Sequence, residues 1–309
     1  MPATGSKSFR PLSLSIRLRT DGFSFFVCDV QAPALVRGEH FLTDDTPEAT
    51  TPDAEAAAST GGAGRLASRL AQALSRKEYF NSQIDQVYVL ADGPFCHVPL
   101  EHFRRGEAAT LYSCAVGATD GVRVGYNILP VLEVAVLYAI PAEVEETILQ
   151  FYPTARFFAS EAMLLERLAI HAPRLAADDG RGAALPLFVS VSEGGPSAPD
   201  VLAVYHFAAD DPSREAPLLR FANTFCVTTA DDALYFILNV WHTLGLDGTT
   251  DELLLLGQTS PLLAQLRTAL ADYVVGLRHV AVGDLFPNVS LAREAKVPLD
   301  LMALLLNRL

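Results

Sequence analysis

From Leu12 to Arg19 apolar and polar residues alternate with period two, Asp21-Gly22 supplies a turn, and Phe23 to Asp29 returns as a second strand. Ala34 to Leu42 predicts a third strand. Leu66, Leu70, Ala73 and Leu74 then recur three and four apart, which predicts a helix between Arg65 and Tyr79 with one apolar face. Gln86 to Ala91 reads as a short buried strand ending at Asp92-Gly93-Pro94. Further on come a helix over Ala142 to Phe151, a strand over Ala155 to Ala159 and a helix from Glu161 to about Ile170, with Ser160 as N-cap and Pro173 closing it.

The same order restarts after the small and polar stretch Ala176 to Ala184. Leu187 to Ser192, the turn Glu193-Gly194-Gly195-Pro196 and Val201 to Phe207 form a hairpin, and Pro217 to Val227 gives the third strand. Thr229-Ala230-Asp231-Asp232 is an acidic capping box opening a helix to Leu244, whose apolar residues cover most of its circumference and predict burial nearly all round. Leu253 to Leu256 reads as a central strand, Ser260-Pro261 as N-cap and first position of a helix to about Val275, and Leu277 to Val282 as a closing strand.

Each half therefore reads hairpin, strand, helix, strand, helix, strand, the chain order of a mixed sheet with three antiparallel strands continued by parallel ones. The prediction is an α/β protein of two ribonuclease-H-like lobes, residues 11–175 and 185–309, each a mixed five-stranded sheet flanked by helices. The first lobe carries an insertion at about 95–140, in which Glu133 to Ala139 looks like an added strand. Leu299 to Leu309 predicts a short apolar helix positioned to return to the first lobe.

With 309 residues, 50% of them hydrophobic, and a mean hydropathy of +0.25, the chain has enough apolar surface for two cores. A formal charge of −13 disfavours a protein that gains affinity by neutralising phosphates, so nucleic acid is not an expected partner. Part of that acidity lies in 43–64, whose Pro, Thr, Ala, Gly and acidic content reads as a surface loop. The first ten residues are polar, and no apolar run reaches the ~20 residues that span a bilayer, so the expected location is the cytoplasm. Cys28, Cys96, Cys114 and Cys226 form no Cys-x-x-Cys pair and read as buried thiols rather than a metal or disulfide framework.

Motifs for common chemistry are absent: no P-loop, no dinucleotide fingerprint, no nucleophile elbow. Cys96-His97 with Glu101-His102 is the densest group of possible ligands, but His97 and His102 are five apart with Pro99 between them, which suits packing better than zinc. Asp231-Asp232 reads as a cap and macrodipole partner rather than an acid–base pair, and Trp241, Tyr235 and Phe236 read as core.

Four stretches taken together resemble a bacterial family known as a domain of unknown function: Leu14 to Leu18 with Asp21 to Phe26, Val98 to Phe103, Asn223 to Phe225 with Ala230 to Phe236 and Leu244 to Asp247, and Leu254 to Gly257. The resemblance implies an actin-like ATPase fold, with pilus-assembly and cell-division actin homologues as distant cousins. Such ATPases hold nucleotide between the lobes with two Asp-x-Gly hairpins at the phosphates and a Gly-Gly turn near the adenosine. The matching positions here are Arg17 and Arg19 in the first hairpin, Glu193-Gly194-Gly195 in the second, and Gly257-Gln258 at the third. Arg17 and Arg19 replace the acid that orients Mg²⁺ and the glycine that admits phosphate. The two arginines share a face of their strand, where they decorate a solvated surface, pair with carboxylates, or hold an anion. The implied reading is a protein-binding or scaffold component with a degenerate nucleotide site and no cofactor, working through its cleft or insertion on an unidentified protein partner. The alternative is a nucleotide switch or slow ATPase with ATP held at Arg17, Arg19, Glu193, Gly194, Gly257 and Gln258.

Overall fold

The computed structural model describes residues 11–19, 21–29, 34–42, 62–76, 84–117, 119–175, 185–192, 199–208, 217–257, 260–286 and 297–308. The first half opens with β1 (Leu12–Arg19), β2 (Gly22–Asp29) and β3 (Ala34–Leu42), an antiparallel meander. Gly22 is required at its tight turn, because a Cβ there would collide with the carbonyl oxygen of Phe41. Helix α1 (Gly62–Leu74) leads to β4 (Ile84–Ala91), which pairs parallel to β1. The inserted segment follows, with β5 (Cys96–Pro99), α2 (Ala108–Ala115), β6 (Val122–Leu129) and β7 (Val134–Pro141). Then α3 (Ala142–Phe151), β8 (Arg156–Ala159) and α4 (Ser160–Leu175) complete the unit, whose sheet order is β3-β2-β1-β4-β8.

The second half repeats this plan. Its elements are β9 (Leu187–Ser192), β10 (Asp200–Ala208), β11 (Leu218–Val227), α5 (Ala230–Thr243), β12 (Glu252–Leu256), α6 (Pro261–Leu270), β13 (Gly276–Val280), α7 (Val282–Leu285) and α8 (Leu299–Arg308). The order β11-β10-β9-β12-β13 matches the first sheet strand for strand, as the repeated pattern predicted.

Period-two alternation decides which core each side chain joins. Leu253 and Leu255 of β12 pack with Ile237, Val240 and Trp241 of α5 and with Leu263 and Leu266 of α6. Leu254 and Leu256 point the other way and join a larger core with Phe188, Tyr205, Phe207, α4 and α8. Helices α4 and α8 pack against each other. Leu301, Met302, Ala303, Leu304 and Leu305 of α8 are all buried in that shared core. The final helix, the apolar element its sequence predicted, thus packs on α4 of the first half and fills a core that both halves share.

Several local expectations are corrected. Helix α4 runs to Leu175, past Pro173, because packing of Leu165, Leu168, Ala169 and Ala172 outweighs the one backbone donor a proline removes in a last turn. The inserted segment contains three strands rather than one: β7 lies between β5 and β6, over a small core of Val98, Phe103, Tyr112, Ala135 and Leu137. Helix α5 buries only the stripe of Ala233, Ile237, Val240 and Trp241, and Tyr235 stands 66% exposed rather than in the core. Of the cysteines Cys28 alone is buried; Cys96 is half-buried, while Cys114 and Cys226 are exposed. Helix α1 begins at Gly62, inside the stretch read as loop, and the rest of that loop, 43–61, lies outside the described residues, as do the linker 176–184 and the turn 193–196.

Candidate functional site at the lobe junction

Where the two halves meet, six polar side chains from six places in the chain converge. Arg17 sits on β1, with Ser13 and Ser15 on the same strand face, and is 8% exposed. Its Nη2 lies 3.2 Å from Asp92 Oδ2, and its Nε donates to Asp92 Oδ1 at 3.4 Å. Asp92 directly follows β4, and its N–H donates to the Leu18 carbonyl, tying that corner to β1. From the other side, Asp300 in the first turn of α8 places Oδ2 3.1 Å from Arg17 Nε, close enough to pair though not aligned as a hydrogen bond. One buried cation therefore carries two carboxylates, one from each half.

A second group lies beside it. Glu161, in the first turn of α4, is 4% exposed and accepts from the Tyr205 hydroxyl of β10 at 3.4 Å. Its Oε1 stands 2.6 Å from His97 Nε2 of β5, in contact but not aligned as a hydrogen bond. The two groups are related by the duplication. In each half the last helix carries an acid at its second position, Glu161 in α4 and Asp300 in α8, and that acid reaches a strand of the opposite sheet. An acid in a helical first turn also meets the positive end of the helix dipole, so both positions suit a carboxylate locally.

The electrostatics follow from burial. Desolvation works against the Arg17 charge, yet Asp300 and Asp92 together hold its pKa above the ordinary guanidinium value. Burial pushes Asp300 up, Arg17 partly offsets this, and Asp92 adds to the rise. The Tyr205 hydroxyl is pushed well above the ordinary phenol range, first by burial and then by Glu161, Asp300 and Asp92, so it stays a neutral donor.

The sequence-predicted positions fall as follows. Arg17 is paired and buried rather than on a solvated face, and Arg19 Nε pairs with Asp21 Oδ1 at 3.2 Å within the hairpin. Gly257 ends β12 with φ +116, a conformation that favours glycine, and a Cβ there would meet Leu299 Cδ1 of α8 at 3.4 Å. Its carbonyl is 2.9 Å from His279 Nε2, and Ser260 caps α6 by accepting from the Leu263 N–H at 3.1 Å, the N-cap the sequence predicted. Glu193, Gly194 and Gln258 lie outside the described residues. The structure brings together Arg17 and His97, which the sequence marked, with Asp92, Glu161, Tyr205 and Asp300, which it did not mark as a site. Asp92 closes a strand and the two helix acids open apolar helices, but nothing in one dimension says what opposes them. His102 lies apart from His97, exposed and beside its neighbour Glu101. Among the described residues no three His, Cys, Asp or Glu side chains converge as a metal-binding group.

No curated protein matches the sequence. Among solved structures, a protein of Bacteroides thetaiotaomicron with an actin-like ATPase fold and unknown function is similar over 98% of this chain and 99% of its own, at 22% identity and a TM-score of 0.70. A chain of the PilM–PilN type IV pilus biogenesis complex is similar over 96% of this chain and 98% of its own, at 14% identity and a TM-score of 0.50. The fold is thus the actin-like ATPase fold, two mixed sheets flanked by helices. The family described as "Protein of unknown function (DUF3822)" matches residues 8–176 and 215–275, most of the chain, and this protein belongs to that family.

Proposed function

We propose that this chain is a non-catalytic, protein-binding component whose nucleotide cleft has become a structural joint. The carrying observation is Arg17. It stands where an actin-like ATPase has a phosphate-facing acid, and its guanidinium is already neutralised by Asp92 and by Asp300 of α8. An actin-like fold implies a nucleotide and its Mg²⁺ between the lobes, and the donor set argues against that group here. A triphosphate entering at Arg17 would have to displace two carboxylates and add like charge beside them. Leu299, 3.4 Å from where a Cβ of Gly257 would stand, further supports a filled junction. With no energy source in the cleft, work on a partner is by binding alone. A complex-forming neighbour of the same fold, the PilM–PilN pair, supports such a role at the level of fold. Among the described residues no helix is long and apolar enough to cross a membrane, and a cytoplasmic location is part of the proposal.

The test is nucleotide titration of the full chain, by calorimetry and thermal shift, with ATP, ADP and GTP, each with and without Mg²⁺. A ligand at about a hundred times its Kd stabilises the native state by about 2.7 kcal/mol, an unmistakable shift in Tm. The expected result is no shift with any of them. A saturable, Mg²⁺-dependent shift abolished by Arg17→Ala would replace this reading with that of a nucleotide switch.

A further inference from the structure

The two large sheets leave four edges, and three of them are guarded. Strand β8 has four residues and β13 five, too short to template pairing. Strand β3 is long, but Arg37, Glu39 and His40 charge or polarise it. Strand β11 is different: it has ten residues, Leu-Leu-Arg-Phe-Ala-Asn-Thr-Phe-Cys-Val, with Arg220 its one charge, and among the described residues it pairs on one side only, with β10. An edge that long with a single charge, unpaired among the described residues, is a ready template for another strand.

Beside that edge runs a ladder of aromatic rings. Phe225 of β11 stacks on Phe236 of α5, centroids 4.5 Å apart and planes 15° from parallel. Tyr235 stands edge-on to Phe236 at 5.5 Å and is the exposed end of the ladder. An exposed tyrosine continuous with a half-buried aromatic pair is the composition of a binding patch rather than of a scattered surface ring. Charge selects the occupant. Between Arg220 and Arg267 the chain has no lysine or arginine, while Asp231 and Asp232 open α5 next to the ladder and Asp200 lies opposite Val227 in the β10 pairing. A second copy of a chain with formal charge −13 would bring the same acids against these, and like charges repel.

We propose that the edge of β11, with the Phe225, Phe236 and Tyr235 ladder, receives an extended, lysine- or arginine-bearing segment of a partner protein by strand addition. Backbone pairing to β11 supplies the register, apolar side chains on one face of the added strand meet the aromatic ladder, and basic residues on that same face at the end beside Val227 meet Asp231 and Asp200. This names a surface and a partner class for the protein-binding role, on which it rests, and its test does not involve nucleotide. ATP binding would sink that role and leave this surface standing; failure of the peptide test would sink this surface alone.

The probe is a fluorescent synthetic peptide of about ten residues with valine or phenylalanine at alternate positions, threonine between them, and lysines on the valine face at one end, the period that places that set on one face of a strand. Binding to the full chain is read by anisotropy, and backbone protection by hydrogen exchange. The expected results are saturable binding, slowed exchange in β11, and about tenfold weaker binding when glutamate replaces lysine in the peptide, consistent with the acidic surround. Asn223→Lys, which puts a guarding charge on the edge, and Tyr235→Lys, which removes the end of the ladder, should each weaken binding about tenfold while far-UV circular dichroism and Tm stay unchanged. Tyr273→Lys, on an exposed loop before β13, should leave binding unaltered. No binding, protection mapping elsewhere, equal binding of the acidic peptide, or indifference to Asn223→Lys and Tyr235→Lys would overturn the proposal. So would dimerisation of the wild type in sedimentation that Asn223→Lys abolishes, because the occupant would then be a second copy.

Discussion

Replacing Arg17 by methionine keeps an unbranched apolar stem and removes the charged head. Asp300 is then left 6% exposed without the cation that offsets its burial, while Asp92, whose side chain is 21% exposed, can turn toward water. Removing one partner of a buried pair typically costs about 3–5 kcal/mol, because the survivor's desolvation is no longer compensated. In a chain of this size that lowers Tm by on the order of 10 °C. The pH dependence carries the mechanism. Asp300 already has a folded-state pKa above the ordinary carboxylate value, and loss of Arg17 raises it further. Between the ordinary value and the raised one the folded state binds more protons than the unfolded state, so stability falls as pH rises through that window. Arg17→Met should therefore be most damaged at neutral pH and partly recover on acidification through the raised value, as Asp300 takes up its proton. Asp300→Asn added to Arg17→Met should restore much of the loss at neutral pH and flatten the recovery. Urea denaturation across the pH range, followed by tryptophan fluorescence, reads all three proteins. A single mutant within about 1 kcal/mol of wild type, or one whose deficit is the same at every pH, would refute the claim that a buried, charge-coupled joint holds the halves together.

Leu304→Ala should cost about 2–5 kcal/mol in the same assay, and because α8 packs in a core common to both halves the transition should remain single rather than split in two. Gly257→Ala should cost about 1–3 kcal/mol, since φ +116 strains any side chain and the new methyl meets Leu299; a neutral result in thermal melts would contradict the turn geometry. Thr229→Ala should cost about 1 kcal/mol, because Thr229 Oγ1 accepts from the Asp232 N–H at 3.1 Å and closes the capping box of α5. The Asp232 carboxyl is held below its ordinary range first by the Thr228 hydroxyl and then by the backbone and side chains around it, so its cap is complete above that range and lost as pH falls through the depressed value. Circular dichroism on acidification of wild type and Asp232→Asn reads the difference as loss of pH dependence in the variant.

The fold could be read from the sequence because it rests on period and punctuation. Alternation in Leu12 to Arg19, the Asp21-Gly22 turn, the capping box at Thr229 and the Ser260-Pro261 start are all set within a few residues, and a duplicated order of such signals leaves few sheet topologies open. The errors came where tertiary contacts outweighed local signals. Buried neighbours carried α4 through Pro173, and the β6 strand, with Arg123, Gly125 and Asn127 on it, forms because β7 offers a full ladder of partners. The exposure of Tyr235 depended on which arc of α5 met the sheet, a choice that a helix apolar almost all round does not encode.

By itself, then, the sequence determined two like sheets, their connecting helices and an apolar tail, because each is specified by neighbours in the chain. The junction was decided only in three dimensions. Arg17, Asp92, His97, Glu161, Tyr205 and Asp300 span almost the whole length of the chain, and each has a local reading as strand polarity, strand end or helix cap. Folding brings them within a few ångströms in a largely buried junction, and there an ordinary surface charge becomes one that must be matched.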